Sequence, residues 1–126
     1  MPQGADITSS TDIAVLIDAF YSAARPDPVI GHFFTHLDWD SHIPKITSFW
    51  NMVLFGDKAF QGDPMGTHVR LDKEHRMDPA HFERWLLLFD ATVDRLFQGP
   101  KDDEAKLRAR TIAGVMHFKV QGARGR

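Results

Sequence analysis

Seven histidines, at positions 32, 36, 42, 68, 75, 81 and 117, stand among 126 residues that include no cysteine. Imidazole is the commonest protein metal ligand, and without thiolates there is no disulfide framework, cysteine zinc site, iron–sulfur cluster or covalent haem attachment. Metal chemistry in this chain must therefore rest on nitrogen and oxygen donors. His32 and His36 are spaced i, i+4, which can chelate zinc from one helical face with Asp40 or His42 as third ligand; two surface histidines are the plainer reading. Asp72 with His75 and Asp78 with His81 come nearest to the Glu-x-x-His pairs of a di-iron bundle. Both pairs fall in or beside a loop, where ligands do not converge as they do from facing helices.

Tyr21, His42 and Trp85 form a more particular pattern, because each is a hydrogen-bonding side chain on an apolar helical stripe. Tyr21 follows Phe20, His42 leads Ile46, Phe49 and Val53 at helical spacing, and Trp85 lies among Phe82, Leu86 and Phe89. Singly, each reads as a core residue with one polar handle. As a set they are three donors or acceptors in a chain with few other buried polar candidates. The sequence has no Gly-rich phosphate loop, no Gly-x-Ser-x-Gly elbow and no His-Glu-x-x-His, so nucleotide binding and these two hydrolytic chemistries have no support. No catalytic residue is assigned.

Helices must position these groups. Ser9 and Asp12 form a capping pair, after which Ile13, Leu16, Ile17, Phe20 and Ala24 recur at helical spacing until Pro26 and Pro28. Val29 to Leu37 is read as a short helix. A longer helix is expected from Asp40 to Phe55, capped by Ser41, with Pro44 in its first turn and Gly56 at its end. Gly56 to Asp78 reads as a loop enclosing at most a short helix from Pro64 to Leu71, which carries His68; a long loop in a small domain commonly covers a ligand. Asp78-Pro79 starts a helix that runs to Gly99-Pro100, and a last helix from about Asp102 to Val120 buries Ala109, Ile112, Ala113 and Met116. No strand period survives, so the fold class is all-α with five or six helices. One domain over residues 1–126 is expected, with 1–10 and 121–126 as flexible tails.

Fifteen basic and seventeen acidic side chains give a formal charge of −2. Residues 101–126 are basic, with seven cationic groups against three acidic ones, which reads as a solvated helix face; no nucleic-acid partner is expected. With no apolar run of about eighteen residues and no signal-like N-terminus, the chain is expected to be cytoplasmic, with no membrane association.

Read in order, the residues resemble the truncated haemoglobins, specifically group III of that family. The marks are Phe20-Tyr21, Ile30-Gly31 ending in Phe33-Phe34, Asp38-Trp39 with His42, Lys45-Ile46, Phe49-Trp50, Gly62-Asp63-Pro64 leading to His68, His81-Phe82, Arg84-Trp85-Leu86 and Phe89. They cover about Asp12 to Phe118, and the lack of any Gly-Gly pair favours group III over the other two. The run from Val69 to Arg76 departs from the family pattern in being longer and more charged.

The resemblance implies a two-over-two helical sandwich around noncovalent haem b, with iron held by His68 as proximal ligand. It implies that Tyr21, His42 and Trp85 line the distal side, that Phe34 packs on the haem face, and that Ile46 and Phe49 supply apolar wall. Lys45 would reach a haem propionate, with Arg70, Lys73 and Arg76 as weaker candidates; such exposed pairs contribute about 0–1 kcal/mol. The implied activity is reversible binding of dioxygen, nitric oxide or carbon monoxide, with oxygen transport as one use. Nitric oxide dioxygenation or peroxide reduction, served by a reductase, is the enzymatic alternative. A haem-free helical interaction module is the alternative from another class.

Overall fold

The computed structural model describes residues 5–35, 37–60, 62, 64–74 and 76–124. His36, Asp63 and His75, singled out above, lie outside them, as do the chain ends. Five α-helices and one 3-10 turn follow one another: α1 Ser10–Ala24, the turn Gly31–Phe34, α2 Trp39–Phe55, α3 Pro64–Glu74, α4 Pro79–Leu96 and α5 Pro100–Arg124. Helices α1 and α2 pack together, as do α4 and α5; α1 lies on α4, while α2 and α3 lie on α5. The result is the two-over-two arrangement, all-α among the described residues. Among them, no helix is long and apolar enough to cross a membrane.

Helix α1 forms as its pattern predicts. Ser9 Oγ accepts the Asp12 amide at 3.3 Å, while the Asp12 carboxylate takes the Thr8 amide at 2.9 Å, so two otherwise unpaired donors are satisfied at its start. Ile13, Leu16, Ile17, Phe20 and Ala24 are all buried. Past the helix, the Asp27 carboxylate accepts the amides of Val29 and Ile30 at 2.9 and 3.1 Å and folds the chain into the 3-10 turn. At Gly31 a Cβ atom would sit 2.5 Å from the Arg25 carbonyl oxygen, so the turn closes only around glycine.

Asp27 also ties this corner to α4, because Arg84 Nε and Nη2 both donate to its Oδ2, at 2.9 and 2.7 Å. The Arg84 guanidinium hydrogen-bonded to Asp27 holds that carboxyl below the usual carboxylate range, against the opposing effect of its burial. Asp27→Ala should cost about 1.5–3 kcal/mol in urea unfolding, since it strands buried amides as well as a charged partner. The pH dependence follows from the sign of the shift. An aspartate whose folded pKa is lowered contributes stability above its unfolded value of about 4, and loses it as pH falls through the folded value. The gap between wild type and Asp27→Ala should therefore narrow below about pH 4.

Three elements differ from the sequence reading. Helix α2 starts at Trp39, with Ser41 and His42 amides donating to the Asp38 carbonyl at 3.2 and 2.8 Å; Ser41 is inside the first turn and is not the cap. Helix α3 extends past Leu71 to Glu74, and the Asp72 carboxylate takes the Met77 amide at 2.8 Å just beyond its end. Ile7 is fully buried, and Asp6 accepts the amides of Lys101 and Asp102 at 3.1 and 3.0 Å, capping the start of α5. At the other end, α5 continues beyond Val120 to Arg124.

An aromatic column joins the layers. Trp85 of α4 stacks on Phe89 at 5.2 Å, Trp50 of α2 stacks on Phe89 at 5.0 Å, and Phe20 of α1 meets Trp85 edge-on at 5.4 Å. Such ring pairs add about 0.5–1.5 kcal/mol each beyond their area burial, so the column fixes where α1, α2 and α4 meet.

Candidate functional site

Tyr21 projects from the last turn of α1 and is buried; it meets four rings edge-on, those of Phe20, Phe34, Trp39 and His42, at 5.1–5.5 Å between centroids. Its hydroxyl lies 3.1 Å from Nε2 of His42, in the first turn of α2. Burial pushes the phenol well above its ordinary pKa, so it stays protonated at any physiological pH. His42 is half-buried, and its pKa is lowered by burial first, then by the charges of Lys45 and His68. It is therefore neutral at pH 7, and its bond with Tyr21 can run in either direction: a bare Nε2 accepts the phenol proton, while Nε2–H donates to the phenol oxygen and leaves the O–H group free to donate elsewhere.

His68, on α3, is thus near enough to His42, on α2, for its charge to act there. Ile46 and Phe49 on α2, Leu71 on α3, and Trp85, Leu86 and Leu88 on α4 border the core half-buried. Phe49 is covered from the chain before α3 by Phe60, at 5.3 Å.

The candidates thus sort unequally. Tyr21, His42, Phe34 and Trp39 are in direct ring contact, whereas Trp85 reaches Tyr21 through the intervening Phe20 ring. Lys45 is exposed one turn beyond His42. Of the weaker cationic candidates, Arg76 pairs with Asp78 at 2.9 Å and Arg70 donates to Thr67 at 3.2 Å; the Lys73 side chain lies outside the description. His81 accepts the Asp78 amide through Nδ1 at 2.8 Å and helps cap α4. Trp39 was quoted in the sequence only as part of a motif, yet it touches both Tyr21 and His42. Its position at a helix start gives no periodic signal that could have marked it.

Among the described residues no three His, Cys, Asp or Glu side chains converge to hold a metal ion. A single half-buried imidazole, that of His68, fits a metal that arrives with most of its own donors, as haem iron does.

No protein-family model matches the chain. The group 3 truncated hemoglobin ctb of Campylobacter jejuni is 29% identical over 113 residues, covering 85% of this chain and 85% of that protein. The crystal structure of group III truncated hemoglobin from Campylobacter jejuni matches with a TM-score of 0.83 at 26% identity, over 93% of this chain and 94% of that one. These likenesses cover most of the chain and agree with its two-over-two helices, so that in sequence and in fold the chain is similar to the truncated haemoglobins of group III.

Proposed function

We propose that this globin binds haem b noncovalently through His68 and reversibly takes up dioxygen, nitric oxide or carbon monoxide on the side of Tyr21 and His42. The observation that carries the reading is the 3.1 Å contact between the Tyr21 hydroxyl and His42 Nε2, inside an aromatic enclosure and within reach of the charge of His68. When bound, haem would supply an iron centre, held by His68, that takes up a diatomic ligand. Phe34, Ile46 and Phe49 would exclude water from the side of Tyr21 and His42, which strengthens any hydrogen bond made there. Tyr21 would donate a hydrogen bond toward a ligand carrying partial negative charge, with His42 as the partner that orients the hydroxyl. Lys45, exposed one turn beyond His42, would be the cation that attracts a propionate. Titration of the reduced, haem-loaded protein with dioxygen and carbon monoxide tests this: reversible spectral saturation by both is expected, and an unchanged spectrum would reject it.

Two coupled hydrogen-bonding groups favour retention of dioxygen over its delivery, so nitric oxide dioxygenation or peroxide reduction, with a reductase as partner, is the activity the site suits better than oxygen transport. His42→Ala should leave haem bound but alter the ferric spectrum and speed carbon monoxide association after flash photolysis, because it opens the distal side without touching the proximal one. Loss of haem in that variant, with His68→Ala harmless, would mean the two faces are reversed.

A further inference from the structure

Between α1 and the start of α2 lies an open cavity of about 400 Å³, with Tyr21, Ser22 and Arg25 on one wall and Trp39, Ile43 and Pro44 on the other. A second hollow of about 350 Å³ adjoins it, bordered by Pro26, Gly31 and Phe34. Arg25 and Trp39 border both. The Arg25 guanidinium carbon stands 4.4 Å above the Trp39 ring, and that indole rests edge-on against Tyr21 at 5.1 Å and His42 at 5.5 Å. One half-buried side chain, capped from outside by an exposed arginine, therefore borders two surface hollows and rests against both members of the hydrogen-bonded pair.

We propose that this groove is a second route by which small uncharged molecules reach Tyr21, with the Trp39 indole as its shutter and Arg25 as the latch. Swinging the indole outward joins both hollows to the space beside the Tyr21 hydroxyl, without any movement of His42. The cavity also carries Asp18 and Asp40, which with Arg25 make its mouth polar and of mixed charge. That suits diatomic gases and hydrogen peroxide and disfavours organic anions. An exposed cation–π contact of the Arg25–Trp39 kind sets the closed-to-open ratio, and its removal should raise the open population about two- to fivefold.

The proposal rests on the gas-binding reading for its purpose but not for its test. Tyr21 is the sole tyrosine, so its oxidation by a pulse of hydroxyl radicals, read by mass spectrometry, reports access to the distal pair whether or not a gas binds, and it does not require the phenol to ionise. Arg25→Ala should speed Tyr21 oxidation in the full-length protein about two- to fivefold and carbon monoxide association with the haem-loaded protein by a similar factor; Trp39→Ala should exceed both. Unchanged oxidation and association in Arg25→Ala would overturn the route, as would a rate gain seen only in His42→Ala. Should Trp39→Ala lose its helical circular dichroism, Arg25→Ala decides, since it removes an exposed side chain. If no gas binds but Tyr21 oxidation still accelerates, the route stands and the gas-binding function falls.

Discussion

His68→Ala is expected to fold with unchanged helix content and to lose haem iron ligation, a loss larger than the roughly 10- to 100-fold that removing a merely supporting residue causes. His68 is the histidine on α3, half-buried and close enough for its charge to depress the basicity of His42 on α2. The other described histidines are committed differently. His32 is exposed and stacks near Phe33, and His81 helps cap α4. His117 is the informative control: its ring lies 5.1 Å from Phe82, and its Nε2 is buried with no hydrogen-bond partner among the described residues. His117→Ala should keep haem. In His68→Gly, added imidazole should restore the five-coordinate spectrum, which a purely structural defect would not permit. Retained wild-type spectra in His68→Ala, with loss in His117→Ala, would move the ligand to α5.

Tyr21→Phe is expected to speed dioxygen release by about 10- to 150-fold, the value of a hydrogen bond of about 1.5–3 kcal/mol to a charged group. Carbon monoxide carries little negative charge, so its release should change by well under about tenfold. Stopped-flow release of both gases separates the causes, because equal acceleration would point to pocket volume and away from the hydrogen bond. The geometry also ranks the couplings. Tyr21 and His42 share a direct 3.1 Å contact, so their double variant should be strongly non-additive. Trp85 lies beyond Phe20, and Tyr21→Phe with Trp85→Phe should come closer to additivity.

The parts of the molecule that follow local rules were legible in the residues. The α1 stripe, the Ser9–Asp12 pair, the Asp78-Pro79 start and the Gly56 stop each depend on residues within a few positions of one another. Helix α3 was less so: Arg70, Asp72, Lys73 and Glu74 break its apolar pattern, so the residues allow at most a short helix ending at Leu71, where the backbone continues to Glu74. What joins distant segments left no local trace. The Asp27–Arg84 tie spans 57 positions, and Asp6 caps a helix 95 residues away. In the site, the apolar stripes marked Tyr21, His42 and Trp85 as a set, but only the packing of α1 on α2 reveals that the first two touch while the third stands behind Phe20. His81 counted as a metal candidate because Asp78 with His81 comes nearest to a Glu-x-x-His pair, a spacing that a capping box shares.

The central claim, that a single imidazole on α3 holds haem in this fold, is tested most directly by titrating the purified haem-free protein with haemin and following the Soret band. A saturating rise at one haemin per chain is predicted for the wild type and for His117→Ala, with no specific ligated spectrum for His68→Ala. A featureless titration of the wild type, or identical saturation in His68→Ala, would contradict it.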